Sequence, residues 1–72
     1  MVSEWIWRKM GRGGVKGEVQ WKLTDSHRAA CECVVVVEEG NVTVVWFPPG
    51  SVRAEVVIEA AKKVEQIING GA

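Results

Sequence analysis

Two neighbouring stretches of this sequence are apolar on both sides of an extended chain. The first, residues 31–38, places two cysteines and two valines on one side of a strand and two further valines between glutamates on the other. The second, residues 41–47, alternates Val, Val and Trp with Thr, Val and Phe. A strand that is apolar on both sides has to be covered on both sides. Any fold for this chain must therefore shelter both faces of its central strands.

The remaining residues predict two more strands and one helix. Residues 4–10 are aromatic and β-branched, which favours a strand, and the glycines of residues 11–14 end it. Residues 17–24 alternate between an apolar side with Val19, Trp21 and Leu23 and a polar side, which predicts a strand with one buried face. Glu38 to Asn41 forms a plausible hairpin connection, in which Gly40 or Asn41 takes a positive φ.

The C-terminal third predicts a helix. Pro48 and Pro49 stop the last strand, Ser51 is a suitable N-cap, and Gly70 stands where a helix commonly ends. Apolar residues recur at helical spacing with charged residues opposite them, so the helix is amphipathic. The predicted apolar stripe comprises Val57, Ala60, Ala61, Val64 and Ile68, widened by Val56 and Ile67.

These elements give an α+β fold in a single domain of 72 residues. We expect a small antiparallel sheet in ββββα order, with the C-terminal amphipathic helix packed on one face. The expected strands are residues 4–10, 17–24, 31–38 and 41–47, and the expected helix is residues 52–69.

A chain this short usually needs a disulfide, a metal or a partner subunit. Cys31 and Cys33 lie one residue apart on the same side of a strand, at the limit of disulfide reach. His27 is the sole histidine, too few for a zinc site, so we expect no metal and no cofactor. Of these three sources of stability, we therefore expect a partner subunit.

One helix covers one face of a sheet, and monomers seldom leave a large apolar patch in water. We therefore expect a homodimer in which the second subunit covers the valines that the helix leaves open. The alternative is that the N-terminal segment with Trp5 and Trp7 folds over the second face and closes the monomer. The expected interface residues are Val34, Val35, Val36, Val37, Val45 and Phe47.

The net charge of zero conceals an asymmetry along the chain. Residues 1–30 carry six Lys and Arg against three acidic residues, residues 31–72 carry the reverse, and three of the four tryptophans lie in the basic part. Cations beside aromatic rings suit single-stranded nucleic acid, because cations follow the phosphates while rings stack on bases. The alternative is that these tryptophans belong to the core, the sheet edge or the dimer contact. The candidate binding residues are Trp5, Trp7, Arg8, Lys9, Arg12, Lys16 and Lys22.

Catalysis has little support in the sequence. Asp25, Ser26 and His27 are the residue types of a hydrolase triad, but three adjacent residues in one turn cannot form its chain of hydrogen bonds. Both cysteines fall in a strand that reads as buried, where a thiol behaves as a small apolar group. We therefore do not expect an enzyme.

The expected function is a small non-catalytic homodimer that binds single-stranded DNA or RNA. The alternative is a protein interaction or assembly module with no nucleic-acid role, since tryptophan and arginine also dominate protein interfaces. No apolar run approaches the ~20 residues that span a bilayer, and charged residues interrupt the N-terminal segment, so we expect a cytoplasmic protein without membrane contact.

Overall fold

A computed structural model describes residues 4–11, 17–27, 30–50 and 52–70 of the chain. It confirms the predicted α+β fold of four antiparallel strands and a C-terminal helix. No bound differs from the predicted one by more than two residues. The elements are β1 (Trp5–Gly11), β2 (Glu18–Asp25), β3 (Ala30–Glu38), β4 (Asn41–Trp46) and α1 (Ala54–Gly70).

The strands form one sheet in the order β1-β2-β3-β4, so β1 and β4 are its edges. The β3–β4 hairpin turns through Glu39 and Gly40, whose φ values are 53° and 83°. Two consecutive positive φ values belong to the tight turn whose twist matches that of antiparallel strands. The sequence had placed the positive φ at Gly40 or Asn41, and the structure places it at Glu39 and Gly40.

α1 covers one side of the sheet, called here the helix face. The register sets Trp21 opposite Val35 and Leu23 opposite Cys33, and these side chains point toward the helix. The fully or largely buried apolar residues of this layer form one core: Leu23, Cys33, Val35, Val37, Val56, Ala60 and Ile67.

The opposite side of the sheet, called here the open face, has no helix over it in the described part of the chain. Side chains on this face alternate along each strand with those of the helix face. The open face comprises Ile6, Arg8, Met10, Glu18, Gln20, Lys22, Thr24, Cys31, Val34, Val36, Glu38, Val44 and Trp46.

Because of two β-bulges, some side chains lie on the face opposite to the one that simple alternation predicts. In the first bulge, the pairing of Leu23 and Thr24 with β3 skips Glu32. Glu32 is buried, and its Oε1 lies 3.4 Å from Nη2 of Arg53, a residue just before α1. On β4 a second shift pairs Val42 with Val37, so Val42 packs on the core although Val44 lies on the open face. An extra residue in one strand reverses the alternation beyond it.

β1 lies in the sheet as an edge strand instead of folding over the second face. Its register places Trp7 opposite Leu23, and both Trp5 and Trp7 pack against the core on the helix face. The described residues of the N-terminal segment therefore do not close the open face, and the alternative of a monomer sealed by Trp5 and Trp7 is not what the structure shows.

The helix is rotated relative to the predicted stripe. Val56, Ala60 and Ile67 are buried, whereas Val57 and Ile68 are 42% and 69% exposed. Ala61 is exposed as well. The predicted stripe was wide because two rows of α1 lie side by side, one wholly apolar and the other apolar except for Lys63, and a helix resting on a sheet buries only one row.

This orientation of α1 predicts that truncating one of two adjacent valines lowers the free energy of unfolding much more than truncating the other. Val56→Ala removes buried methyl groups and should lower the free energy of unfolding by roughly 2 kcal/mol. Val57→Ala is the matched control and should change it by less than about 0.5 kcal/mol, since it alters an exposed position. Urea titrations at low protein concentration measure both, and a larger loss for Val57→Ala would contradict the orientation of α1.

Candidate binding surfaces

The structure divides the predicted nucleic-acid residues between the two faces of the sheet. Arg8 and Lys22 lie side by side on the open face, because they are register partners in β1 and β2. Trp5, Trp7 and Lys9 lie on the helix face. Arg12 and Lys16 fall outside the described residues.

The tryptophans of the helix face already have partners within the chain. Lys63 of α1 places Nζ 5.3 Å from the ring centre of Trp7 and 4.0 Å from that of Trp21. The Arg53 guanidinium lies 5.8 Å from the ring of Trp5. Such contacts stabilise the cation and occupy a ring face. All three tryptophans are half-buried, so these rings serve packing more readily than base stacking.

The side chain of Lys63 extends from α1 toward the sheet, where apolar side chains partly surround its ammonium group. Its Nζ donates a hydrogen bond to Oε1 of Gln66 at 2.9 Å, and desolvation by the surrounding side chains lowers the pKa of the Lys63 ammonium. Lys9 approaches Trp21 as well, at 5.8 Å from the ring centre. Sequence reasoning missed this cation layer, because it pairs residues from opposite ends of the chain.

Trp46 is the tryptophan that the structure leaves open. Trp46 is 50% exposed. Its register partner on β3 is Val34, and the register partner of Val34 on β2 is Lys22. Arg8, Lys22, Val34 and Trp46 therefore form one row across all four strands, called here the cation–tryptophan row. Strands lie about 4.8 Å apart, so about 10 Å separates the backbones of Lys22 and Trp46.

The charges of the open face are segregated along the strands. Arg8 and Lys22 are adjacent like charges, which repel each other across a strand pair. Among the described residues no ion pair joins either of them to a carboxylate. Glu18 and Glu38 are register partners on β2 and β3. Glu18 lies four residues from Lys22 along β2, so roughly 13 Å separates their backbones, which is more than the screening length at physiological salt. Among the described residues, the row is a local positive site without a neutralising neighbour.

A second surface lies between α1 and β4. It is a groove of about 640 Å³ with apolar walls, and Glu65 is the only charged residue in its lining. The sequence did not reveal it, because the helix residues that line it were assigned to the core. The groove is lined mainly by Val45, Phe47, Val57, Ala61, Val64 and Ile68.

The residues expected at a dimer contact fall into three places. Val35 is fully buried and Val37 is 8% exposed, both beneath the chain's own helix, so neither is open to a second subunit. Val34 and Val36 lie on the open face. Val45 and Phe47 line the groove. The alternating pattern of β3 does not indicate which of its two rows of valines the helix covers.

The residues considered for catalysis are not arranged for it. Oδ1 of Asp25 accepts a hydrogen bond from the backbone N–H of His27 at 2.9 Å, which stabilises the turn. Burial raises the pKa of the Cys33 thiol to about 11, opposite to the shift that a nucleophile needs. Within the described residues, no group of three or more His, Cys, Asp or Glu comes together as a metal site.

No helix in the described ranges has the length and apolar content to cross a bilayer. No family model, curated protein or solved structure matches this chain. Its function has to be inferred from the two surfaces.

The buried thiol gives a pH prediction. Above the ordinary pKa of 9.0 the unfolded chain ionises Cys33, whereas the folded chain keeps it protonated until about pH 11. The free energy of unfolding should therefore fall between pH 9 and pH 11, by up to about 1.4 kcal/mol per pH unit from this group. Urea titrations of the wild type and Cys33→Ala isolate the contribution. An equal fall in both proteins would contradict it.

Proposed function

We propose that this protein binds single-stranded DNA or RNA on the open face of its sheet and that it is not an enzyme. The observation that carries the proposal is the cation–tryptophan row. It combines a half-exposed ring with two cations that form no ion pair within the described part of the chain, all on one side of one sheet. A base can stack on Trp46 while neighbouring phosphates approach Lys22 and Arg8.

The surroundings of the row suit an unpaired strand. Met10, Val36 and Val44 form an apolar row next to it, with Gln20 as its polar member. Such a surface accepts the faces of bases and offers a few hydrogen bonds to their edges. In a duplex the bases are stacked on each other and cannot lie on a ring, so the geometry favours single strands.

Trp5 and Trp7 have no part in this proposal, in contrast to the expectation from sequence. Their rings carry Arg53 and Lys63 and pack against the core. A base could stack on them only by displacing those cations. The open face needs no such rearrangement.

The alternative function, a protein interaction module without nucleic acid, makes a different prediction about salt. Contacts through apolar anchors change little with ionic strength, whereas phosphate contacts release counterions and weaken steeply. The apolar groove between α1 and β4 favours a protein contact in addition to the open face.

Salt-dependent titration tests the phosphate contacts. We expect oligo-deoxythymidine to quench tryptophan fluorescence at low salt, with log affinity falling linearly against log salt. Lys22→Ala and Arg8→Ala should each reduce the steepness of that line by about 0.7, the value for one phosphate contact on a single strand. The matched control is Lys62→Ala, an exposed helix lysine whose Nζ lies 3.5 Å from Glu59, and it should leave the line unchanged. Absence of binding at low salt, or equal effects of all three variants, would refute the proposal.

Substitution of Trp46 tests the stacking contact. Trp46→Ala should weaken oligonucleotide binding by about 1–3 kcal/mol, and Trp46→Phe should retain most of the affinity because it keeps a ring. Circular dichroism checks that both variants fold, as expected for a half-exposed position. If Trp46→Ala binds as tightly as the wild type, the ring takes no part and the open face loses its main support.

A further inference from the structure

The structure assigns the groove between α1 and β4 to a second copy of this chain. We infer that the two copies pack their α1 helices antiparallel across a two-fold axis close to Ala61. This inference uses residues that the proposed nucleic-acid site does not use, so either can hold without the other.

α1 carries a second apolar row besides the one on the sheet. Its members are spaced by three and four residues, the spacing with which one helix packs against another. The structure leaves four of the five exposed and one half-buried. The row comprises Ala54, Val57, Ala61, Val64 and Ile68.

The sizes of these residues fit a copy of the same row running in the opposite direction. With the axis at Ala61, this small residue faces its own equivalent and lets the helices approach closely. Ala54 then faces Ile68 of the second copy, and Val57 lies beside Val64 of that copy. The small Ala54 meets the large Ile68 at each end of the contact and valines face each other nearer its middle, so the row matches its own copy, as a two-fold interface requires.

The charges of the groove point to the same occupant. Among the described residues that form its walls there is no cation to attract nucleic acid, and Glu65 is the single charge. The whole chain has a net charge of zero, so two copies do not repel each other as they approach.

The two edges of the sheet differ in a way that supports this contact. β1 carries Arg8 and Lys9, and charges on an edge strand discourage pairing with other chains. β4 has no charged residue, and its Val45 is 39% exposed at the mouth of the groove. An uncharged apolar edge is an aggregation hazard unless something covers it. A second copy seated in the groove shelters this edge.

Sedimentation and one added charge test the contact. At high micromolar concentration we expect a species of twice 7.9 kDa. Ala61→Glu brings two carboxylates together at the axis and should give the 7.9 kDa monomer with unchanged circular dichroism, because Ala61 is exposed in the single chain. Gln66→Glu adds the same charge outside the row, on the flank of α1 beside Lys63, and should stay dimeric.

Cross-linking tests the position of the axis. Ala61→Cys should form an intermolecular disulfide on mild oxidation, whereas Gln66→Cys should not exceed the wild type. A wild-type monomer, a dimer unaffected by Ala61→Glu, or equal cross-linking of the two cysteine variants would overturn the inference. A dimer that Val44→Glu dissociates and Ala61→Glu does not would place the second copy on the open face.

Discussion

A sheet has two faces, and the described part of this chain has one helix to cover them. α1 is about 10 Å wide, whereas four strands at about 4.8 Å spacing make a wider layer, so the helix covers only part of one face. The remainder of that face, around Trp7 and Trp21, is covered by the side chain of Lys63. The other face remains open. The open face and the groove both result from this shortage of covering structure.

The sequence was sufficient for the elements but not for their faces. Alternation in β2 and the Ser51 to Gly70 pattern predicted the strands and the helix, because those signals are local. Two bulges moved Glu32 and Val42 across the sheet, and a bulge leaves no mark in an apolar pattern. The rotation of α1 also depends on tertiary packing, since the wholly apolar row stays exposed while the row that includes Lys63 faces the sheet. The sequence predicted a binding site with basic and aromatic residues, which stays a prediction, and it chose Trp5 and Trp7, whereas the more exposed ring is that of Trp46.

The two proposed contacts differ in physical character and in place. The open face offers cations and one exposed ring, which suits a charged ligand with flat bases. The groove is apolar and almost uncharged, which suits a protein surface of the same kind. Since they lie on opposite sides of the sheet, both can be occupied at once, and a dimer would present two open faces to nucleic acid.

The central claim is that the open face, and not the face under α1, receives the ligand. The four tryptophan indole N–H signals in a ¹⁵N-resolved spectrum, followed during titration with a short oligo-deoxythymidine, test it directly. We expect the Trp46 signal to shift while those of Trp5, Trp7 and Trp21 stay nearly in place. Shifts at Trp5 and Trp7 with an unmoved Trp46 signal would contradict the claim.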